Sequence, residues 1–274
     1  MPSLSVIVIT RNEAGNIGRC LRSARFADEL VVVDSGSTDG TVEMARGLGA
    51  RVAVAQDWPG FGPQKNRALD MATGDWVLSL DADEEVTPTL QRSILAAMQD
   101  GRHDAYSIGR HSSYCGQYMN HSGWYPDRVV RLFRRGRARF SDDLVHERVV
   151  IEGPVGRLEG DLLHESMPTL ESVLDKMDRY SSAGALALHA RGVKGSLGKA
   201  LGHALWTFLR TYVVRRGFLD GRLGFALAVS NAEGTYYRYL KLWLLQKGIG
   251  QGTPAQRPNL MGSTTNTRRV EDGS

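Results

Sequence analysis

Apolar residues follow two rhythms along the chain. Short continuous runs, Leu4 to Thr10, Leu30 to Asp34, Val52 to Ala55 and Trp76 to Leu80, have the length of strands. Stretches of helical character lie between them, so the pattern predicts an α/β layer structure with a largely parallel sheet. One helix follows Arg11 to Ile17 and runs through about Ala24. The next covers Val42 to Leu48, behind the turn and N-cap cluster Asp34-Ser-Gly-Ser-Thr-Asp-Gly40. A third carries Lys65 to Met71, and Pro88 suits the first turn of a fourth that reaches about Met98.

From Tyr106 to Gly160 the pattern becomes irregular, with short strand candidates at Arg128 to Phe133 and Val149 to Ile151. An amphipathic helix then places Leu170, Val173, Leu174, Met177, Ala185 and Leu188 on one face. Helical segments near Leu197 to Val214 and Leu223 to Leu245 follow, and residues 248–274, rich in Gly, Pro, Ser, Thr and Asn, read as a disordered tail. The expected division is a main domain over residues 1–165, in two parts, 1–100 and 101–165, then a helical extension over 166–247.

Composition adds little to this picture. With 42% hydrophobic and 23% charged residues among 274, the chain is of ordinary globular type, which excludes collagen-like and wholly disordered classes. Cys20 and Cys115 lack any CxxC spacing and read as two thiols in a reducing, cytoplasmic setting. The first residues have no basic region ahead of their apolar run, and they read as a buried strand rather than a signal peptide. No run approaches the roughly 18 apolar residues of a spanning helix. Charge is lopsided: residues 1–100 carry 9 Lys/Arg against 14 Asp/Glu, and the remainder 25 against 16. A basic second part suits an anionic partner, a membrane surface or an acidic substrate.

Candidate chemistry concentrates where strands end. In open α/β sheets ligands sit beyond the carboxyl ends of the strands, and three of those ends are polar: Thr10-Arg-Asn-Glu13, Asp34 to Asp39, and Asp81-Ala-Asp83. Alternate strand residues share a side, so Asp81 and Asp83 are expected to point together into one cleft. Two carboxylates so placed repel unless a cation lies between them, and hard oxygen ligands suit Mg²⁺ or Mn²⁺. The guest this implies is a diphosphate bridged by the metal.

Thr10-Arg-Asn-Glu13, Val32-Val-Asp-Ser-Gly-Ser-Thr-Asp-Gly-Thr41, Lys65-Asn-Arg-Ala-Leu69 and Leu80-Asp-Ala-Asp-Glu84, in that order, resemble the family 2 glycosyltransferases of the GT-A fold. Trp124-Tyr-Pro-Asp127, Arg131-Leu-Phe133 and Val145-His-Glu147 are similar to the lipopolysaccharide core β-glucosyltransferases within it. The resemblance implies that Asp34 binds the uracil and ribose end of a UDP-sugar, with Thr10, Asn12 and Glu13 lining the pocket and Lys65 and Asn66 closing over the donor. Many relatives carry a second aspartate where this chain has Ser35. Asp81 would contact ribose or the metal shell, Asp83 would ligate the metal, and His164 would complete its coordination. Glu147 would be the general base for the acceptor hydroxyl, with Asp142 and Asp143 as rivals. Trp124, Asp127 and Arg131 are candidates for the acceptor or sugar side. The basic run Arg128, Arg131, Arg134, Arg135, Arg137 and Arg139 would meet phosphates of a glycolipid core or the leaving diphosphate. The expected activity is inverting transfer, of glucose by preference, from a UDP-sugar to a lipopolysaccharide core or related glycolipid or oligosaccharide acceptor.

Two other classes fit the residues less well. A sugar nucleotidyltransferase would want a Gly-rich, basic first loop, and a glycan-binding scaffold would not need Asp81, Asp83 and Glu147 together. Nucleic acid is not expected as a partner, since no helix-turn-helix, zinc or RNP signature accompanies the arginines. Leu201, Leu205, Phe208, Leu209, Tyr212 and Val213 form an apolar stripe beside Trp206, Arg210, Arg215 and Arg216. That stripe suits the cytoplasmic face of an inner membrane, core packing, or a homo-oligomer.

Overall fold

The structure, a computed structural model, describes residues 2–142 and 148–249. In chain order the first part runs β1 (Leu4–Thr10), α1 (Ile17–Ser23), β2 (Glu29–Asp34), α2 (Thr41–Gly47), β3 (Arg51–Val54), α3 (Phe61–Met71) and β4 (Trp76–Asp81). It continues through β5 (Glu84–Val86), α4 (Pro88–Asp100), β6 (Ala105–Tyr114), β7 (Gln117–Tyr118), β8 (Asp127–Arg134), β9 (Ala138–Phe140), β10 (Val149–Ile151) and β11 (Val155–Met167). The rest is helical: α5 (Leu170–Ala190), α6 (Leu197–Leu209) with a π-turn over Arg210–Val214, a short 3₁₀ turn Gly217–Asp220, and α7 (Gly221–Lys247).

The main sheet has the order β3-β2-β1-β4-β8-β6-β11-β5, with β7 paired to β6. β3, β2, β1 and β4 are mutually parallel, β8 is antiparallel to both β4 and β6, and β11 runs parallel to β6. This is the mostly parallel, helix-flanked sheet expected of the GT-A fold. All seven residues of β1 are buried because helices cover both faces of the sheet. Leu4, Val6 and Val8 join Ile17, Leu21, Leu78 and Leu90 on one side, while Ile7 and Ile9 join Val31, Ala68, Leu69 and Phe133 on the other. The continuous apolar runs are therefore central strands.

β5, β6, β7, β9 and β11 are absent from the sequence-based expectation, and β6 and β11 are long. Their sequences include Arg110, Ser112 and His164, polar groups that break period-two alternation because they serve the site rather than the core.

Two compact units emerge, residues 1–170 with 215–227, and residues 171–214 with the chain from 228 onward. In the first, Asp220 is the hub of a buried polar cluster. Its carboxylate, 1% exposed, accepts from the backbone N–H groups of Asn120 (3.1 Å) and His121 (3.1 Å), from His121 Nδ1 (3.1 Å) and from Ser122 Oγ (3.0 Å). Removing it would leave several buried donors unmatched at about 1–3 kcal/mol for a lost partner. Asp220→Ala should therefore lower unfolding free energy by about 2–3 kcal/mol, read as a lower urea midpoint at unchanged slope; a loss within error of zero would mean that water replaces the carboxylate.

In the second unit, Lys241 Nζ bonds Asp178 Oδ1 (2.5 Å), Ser181 Oγ (2.8 Å) and Ser182 Oγ (2.8 Å), tying α7 to α5. His203 of α6 stacks on Tyr239 of α7, with centroids 4.2 Å apart. No helix among the described residues is long and apolar enough to cross a membrane.

Candidate active site

The carboxyl ends of β1 and β2 are joined by polar side chains. Asp34, fully buried, accepts from Thr10 Oγ1 (2.9 Å), from the backbone N–H groups of Gly36 (2.9 Å) and Ser37 (2.8 Å), and from Ser37 Oγ. Its oxygens hold the β2–α2 turn in shape. The two neighbouring loops are then stitched together: Asn12 N–H donates to Ser37 Oγ (2.7 Å), Thr38 N–H to Asn12 Oδ1 (2.9 Å), and Glu13 N–H to Thr41 Oγ1 (2.8 Å). Asn12 adopts φ 55°, a left-handed conformation that asparagine tolerates better than most residues. Thr10, Asn12, Glu13 and Asp34 thus come together as one polar rim, Glu13 also accepting from Asn16 Nδ2 (2.9 Å).

The four acidic residues between Asp81 and Glu85 divide into distinct roles. β4 ends at Asp81, and Ala82–Asp83 form a turn into β5, so Asp81 and Asp83 are not alternate residues of one strand. This corrects the expectation of two carboxylates facing one cation. Asp81 instead pairs with Lys65 Nζ (2.9 Å) and Arg131 Nη2 (2.5 Å), and Arg131 also reaches the fully buried Glu84 (2.9 Å). Repulsion between these acids is relieved by cations of the chain itself. Burial would raise the Asp81 pKa, but Arg131 and then Lys65 outweigh it and hold the carboxyl well below its usual range. Burial dominates at Glu84, whose pKa is raised despite Arg131, with Asp81 adding to the rise. Cys20, packed beneath the turn, has its thiol pushed up by burial and by Glu84 and its acidic neighbours.

Asp83 turns the other way. Its Oδ2 lies 3.3 Å from His164 Nε2, while His164 Nδ1 is 2.9 Å from Ser112 Oγ. The β11–β5 register sets His164 opposite Glu84 and the β11–β6 register sets it opposite Ser112, so strand pairing fixes the imidazole. A small polar pocket beside them is lined by Arg19, Asp83, Tyr118 and Glu165.

This pair fits a hard divalent cation. A hydrogen bond at Nδ1 orients the ring and leaves Nε2 for a metal, the usual arrangement behind a ligating histidine. Among the described residues no group of three or more His, Cys, Asp or Glu could hold a metal, so the protein would supply two donors and leave the other positions to phosphate oxygens and water.

Other expected site residues lie elsewhere. Asn66 spends both ends of its amide on the Phe140 backbone, at 2.9 and 3.0 Å, and so anchors β9. Arg131, read as an acceptor-side group, is buried against Asp81 and Glu84. Asp127 pairs with Arg110 Nη2 (2.6 Å), and Trp124 is half-buried, edge-on to Tyr114 at 6.1 Å. Because β8 is antiparallel to β4, Arg134 sits beside Trp76, at the opposite end of β4 from Asp81. There Arg134 pairs with Asp104 (3.0 Å) and Arg135 donates to Gly74 O (2.8 Å), while Arg139 pairs with Asp70 (2.9 Å). The basic run is dispersed rather than gathered over one anion. Asp142 is exposed; Asp143 and Glu147 lie outside the described residues. The flanks of that segment are adjacent, Ser141 N–H donating to Arg148 O (2.9 Å). A Cβ on Gly62 would overlap the Ser141 carbonyl oxygen, so glycine lets these flanks rest on the first turn of α3, one turn before Lys65.

Sequence reasoning missed Glu84, Ser112 and Arg110 as parts of the site, Arg110 Nη1 standing 3.9 Å from the Glu84 carboxylate. Glu84 was visible only as one more charge in the acidic run, and nothing near Ser112 in sequence signals the histidine 52 residues away.

The family model described as Glycosyl transferase family 2 matches residues 5–149. Uncharacterized glycosyltransferase RT0209 of Rickettsia typhi is 33% identical over 255 residues, 88% of this chain and 87% of its own. The lipopolysaccharide core biosynthesis glycosyltransferase LpsC of Rhizobium meliloti is 29% identical over 255 residues, covering 88% and 92%. Among solved structures, glucosyl-3-phosphoglycerate synthase from Mycobacterium tuberculosis, in complex with Mn²⁺, UDP and glucosyl-3-phosphoglycerate, is 27% identical over 41% of this chain and 44% of its own, with TM-score 0.35. S. aureus TarS is 18% identical over 90% and 92%, with TM-score 0.45.

Proposed function

This chain belongs to glycosyl transferase family 2 and is a glycosyltransferase, and from that premise we propose that it transfers a sugar, glucose by preference, from a UDP-sugar to a lipopolysaccharide core or related glycolipid, inverting the anomeric carbon. The observation that carries the donor side is the Asp83–His164 pair, oriented by Ser112, in the turn that follows β4, the parallel neighbour of β1 whose carboxyl end carries the polar rim of Thr10, Asn12, Glu13 and Asp34. The acceptor class draws on the likeness to LpsC, whose name states lipopolysaccharide core biosynthesis. Such an acceptor resides in a bilayer, so the reading has the transfer at the cytoplasmic face of a membrane.

Asp83 and His164 would hold Mg²⁺ or Mn²⁺ against the diphosphate. When bound, such an ion supplies Lewis-acid stabilisation of the charge that develops on the leaving UDP. The chain's own residues do the rest. Asp34 shapes the nucleotide loop, and Lys65, held against Asp81, keeps a cation at the base of the donor site. Glu147 takes the proton from the acceptor hydroxyl as that oxygen attacks the face opposite the leaving group.

UDP release from UDP-glucose in the presence of a membrane glycolipid fraction tests this reading. Metal-dependent release, with a β-linked product, is the expected result. Glu147→Gln should lower turnover by about 10²–10⁴, the range of general-base catalysis, and leave UDP affinity within twofold. Full activity in Glu147→Gln, with loss in Asp142→Asn or Asp143→Asn, would move the base; absence of any UDP-sugar turnover under all conditions would leave a glycan-binding protein.

A further inference from the structure

Helix α6 is built inside out for a globular helix. The side it turns toward α7 carries Ala200, fully buried, Thr207, bonded to Thr235 Oγ1 (3.2 Å), and the exposed His203, stacked on Tyr239. Its outer side carries the large apolar residues: Leu197, Leu201, Leu205, Trp206 and Leu209 are 47%, 63%, 62%, 57% and 40% exposed. In the adjoining turn Val213 and Val214 are 54% and 65% exposed. Leu197, Leu201, Leu205 and Leu209 recur every four residues, so they form one stripe, and such a stripe normally faces a core. A contiguous exposed apolar stripe of this size marks an interaction surface.

Charge says what kind of surface it meets. From Arg179 to Val214 the chain contains Arg179, Arg191, Lys194, Lys199 and Arg210 and not one Asp or Glu. Lys199 and Arg210 flank the stripe and are exposed. A protein partner or a second copy of this chain would need no such exclusion of acids over 36 residues. An anionic bilayer would, since its surface repels every carboxylate and attracts each Lys or Arg, while its interior takes leucine side chains and its headgroup boundary takes tryptophan.

We propose that the outer face of α6 and its adjoining turn docks this protein on an anionic lipid bilayer, the helix lying in the plane of the headgroups. The proposal deepens the proposed function, whose glycolipid acceptor sits in a membrane, but it concerns a surface of the second unit and stands whichever sugar is moved.

The test is co-sedimentation of the full chain with phosphatidylglycerol–phosphatidylcholine vesicles and with phosphatidylcholine alone, alongside UDP titration of the same samples. Wild type should bind the anionic vesicles and lose most of that binding in high salt. Leu205→Ser with Trp206→Ser should weaken partitioning at least tenfold, and Arg210→Gln about fivefold on the anionic vesicles alone, as expected for one cation near the surface. Both variants change exposed residues and should keep the wild-type circular dichroism and UDP affinity. Binding that ignores lipid charge, or that both variants retain, overturns the proposal. So does an absence of vesicle binding with a dimer in sedimentation equilibrium that the Leu205–Trp206 variant dissolves, which would give the face to a second copy. Vesicle binding without UDP binding would sink the donor assignment and leave the docking face standing; UDP binding without vesicle binding would do the reverse.

Discussion

Asp83→Ala should cut turnover by about a thousandfold, a few kcal/mol of transition-state stabilisation, while leaving the fold nearly untouched. The side chain is 26% exposed and pairs with His164 across 3.3 Å, so removing it strands no buried charge. His164 keeps its hydrogen bond to Ser112. The stability change should stay within about 1 kcal/mol, the usual worth of a part-exposed ion pair. Asp81→Ala is the instructive contrast. It would remove the Asp81 carboxylate from Lys65, 4% exposed, and leave Arg131, 7% exposed, with Glu84 alone of the two acids it bridges, so its loss of activity would come with a loss of stability. Two aspartates two positions apart should therefore separate cleanly in a comparison of kcat with melting temperature. Equal melting losses for both variants would contradict the division of labour.

Arg131→Met should be the most damaging single change to the fold. The guanidinium bridges Asp81 and Glu84, and its removal leaves Asp81 to Lys65 and the buried Glu84 to Arg110, 3.9 Å away. Breaking a buried pair by deleting one partner costs about 3–5 kcal/mol. Asp81 retains 31% exposure, which favours the lower end, about 3 kcal/mol. The pH dependence gives a second readout. In the wild type the Asp81 pKa lies well below its ordinary value of 3.8, so its contribution to stability is complete above that value and is lost as pH falls through the folded pKa. Without Arg131, burial at Asp81 is opposed chiefly by Lys65 and at Glu84 by Arg110, His164 and the Asp81 N–H; both carboxyl pKa values rise relative to wild type, and the variant sheds buried charge as pH falls toward the ordinary carboxylate range. The gap between wild type and variant should narrow over that window in denaturant titrations. A gap that is constant with pH would assign the loss to packing rather than to charge.

The contrast between Asp81 and Asp83 shows what the sequence could and could not convey. β1, β2 and β4 were legible because strands covered on both faces are continuously apolar, and the start of α4 was legible from Pro88 in its first turn, where Thr87 Oγ1 accepts from Leu90 N–H (3.3 Å). β6 and β11 were not, because they place Ser112 and His164 at the site and sacrifice alternation to do so. The acidic cluster was visible, yet its partition depends on Lys65 and Arg131, which lie 16 residues before and 50 after Asp81 and meet it only once α3 and β8 are packed. Spacing alone implied two ligands from Asp81 and Asp83; the turn at Ala82 separates them and gives Asp83 a histidine partner instead. The apolar stripe of α6 was equally plain in the sequence, but its direction was not, since Ala200 and Thr207 turning inward is a fact of packing.

The central claim is that Asp83 and His164 form a divalent-metal seat for a nucleoside diphosphate. Calorimetric titration of UDP into the full chain, with Mn²⁺ and then with EDTA, in wild type and Asp83→Ala, tests it most directly. The account predicts binding in wild type with Mn²⁺ that weakens at least tenfold in EDTA and equally in the variant with Mn²⁺ present. UDP binding of the same strength in all of these samples would contradict it.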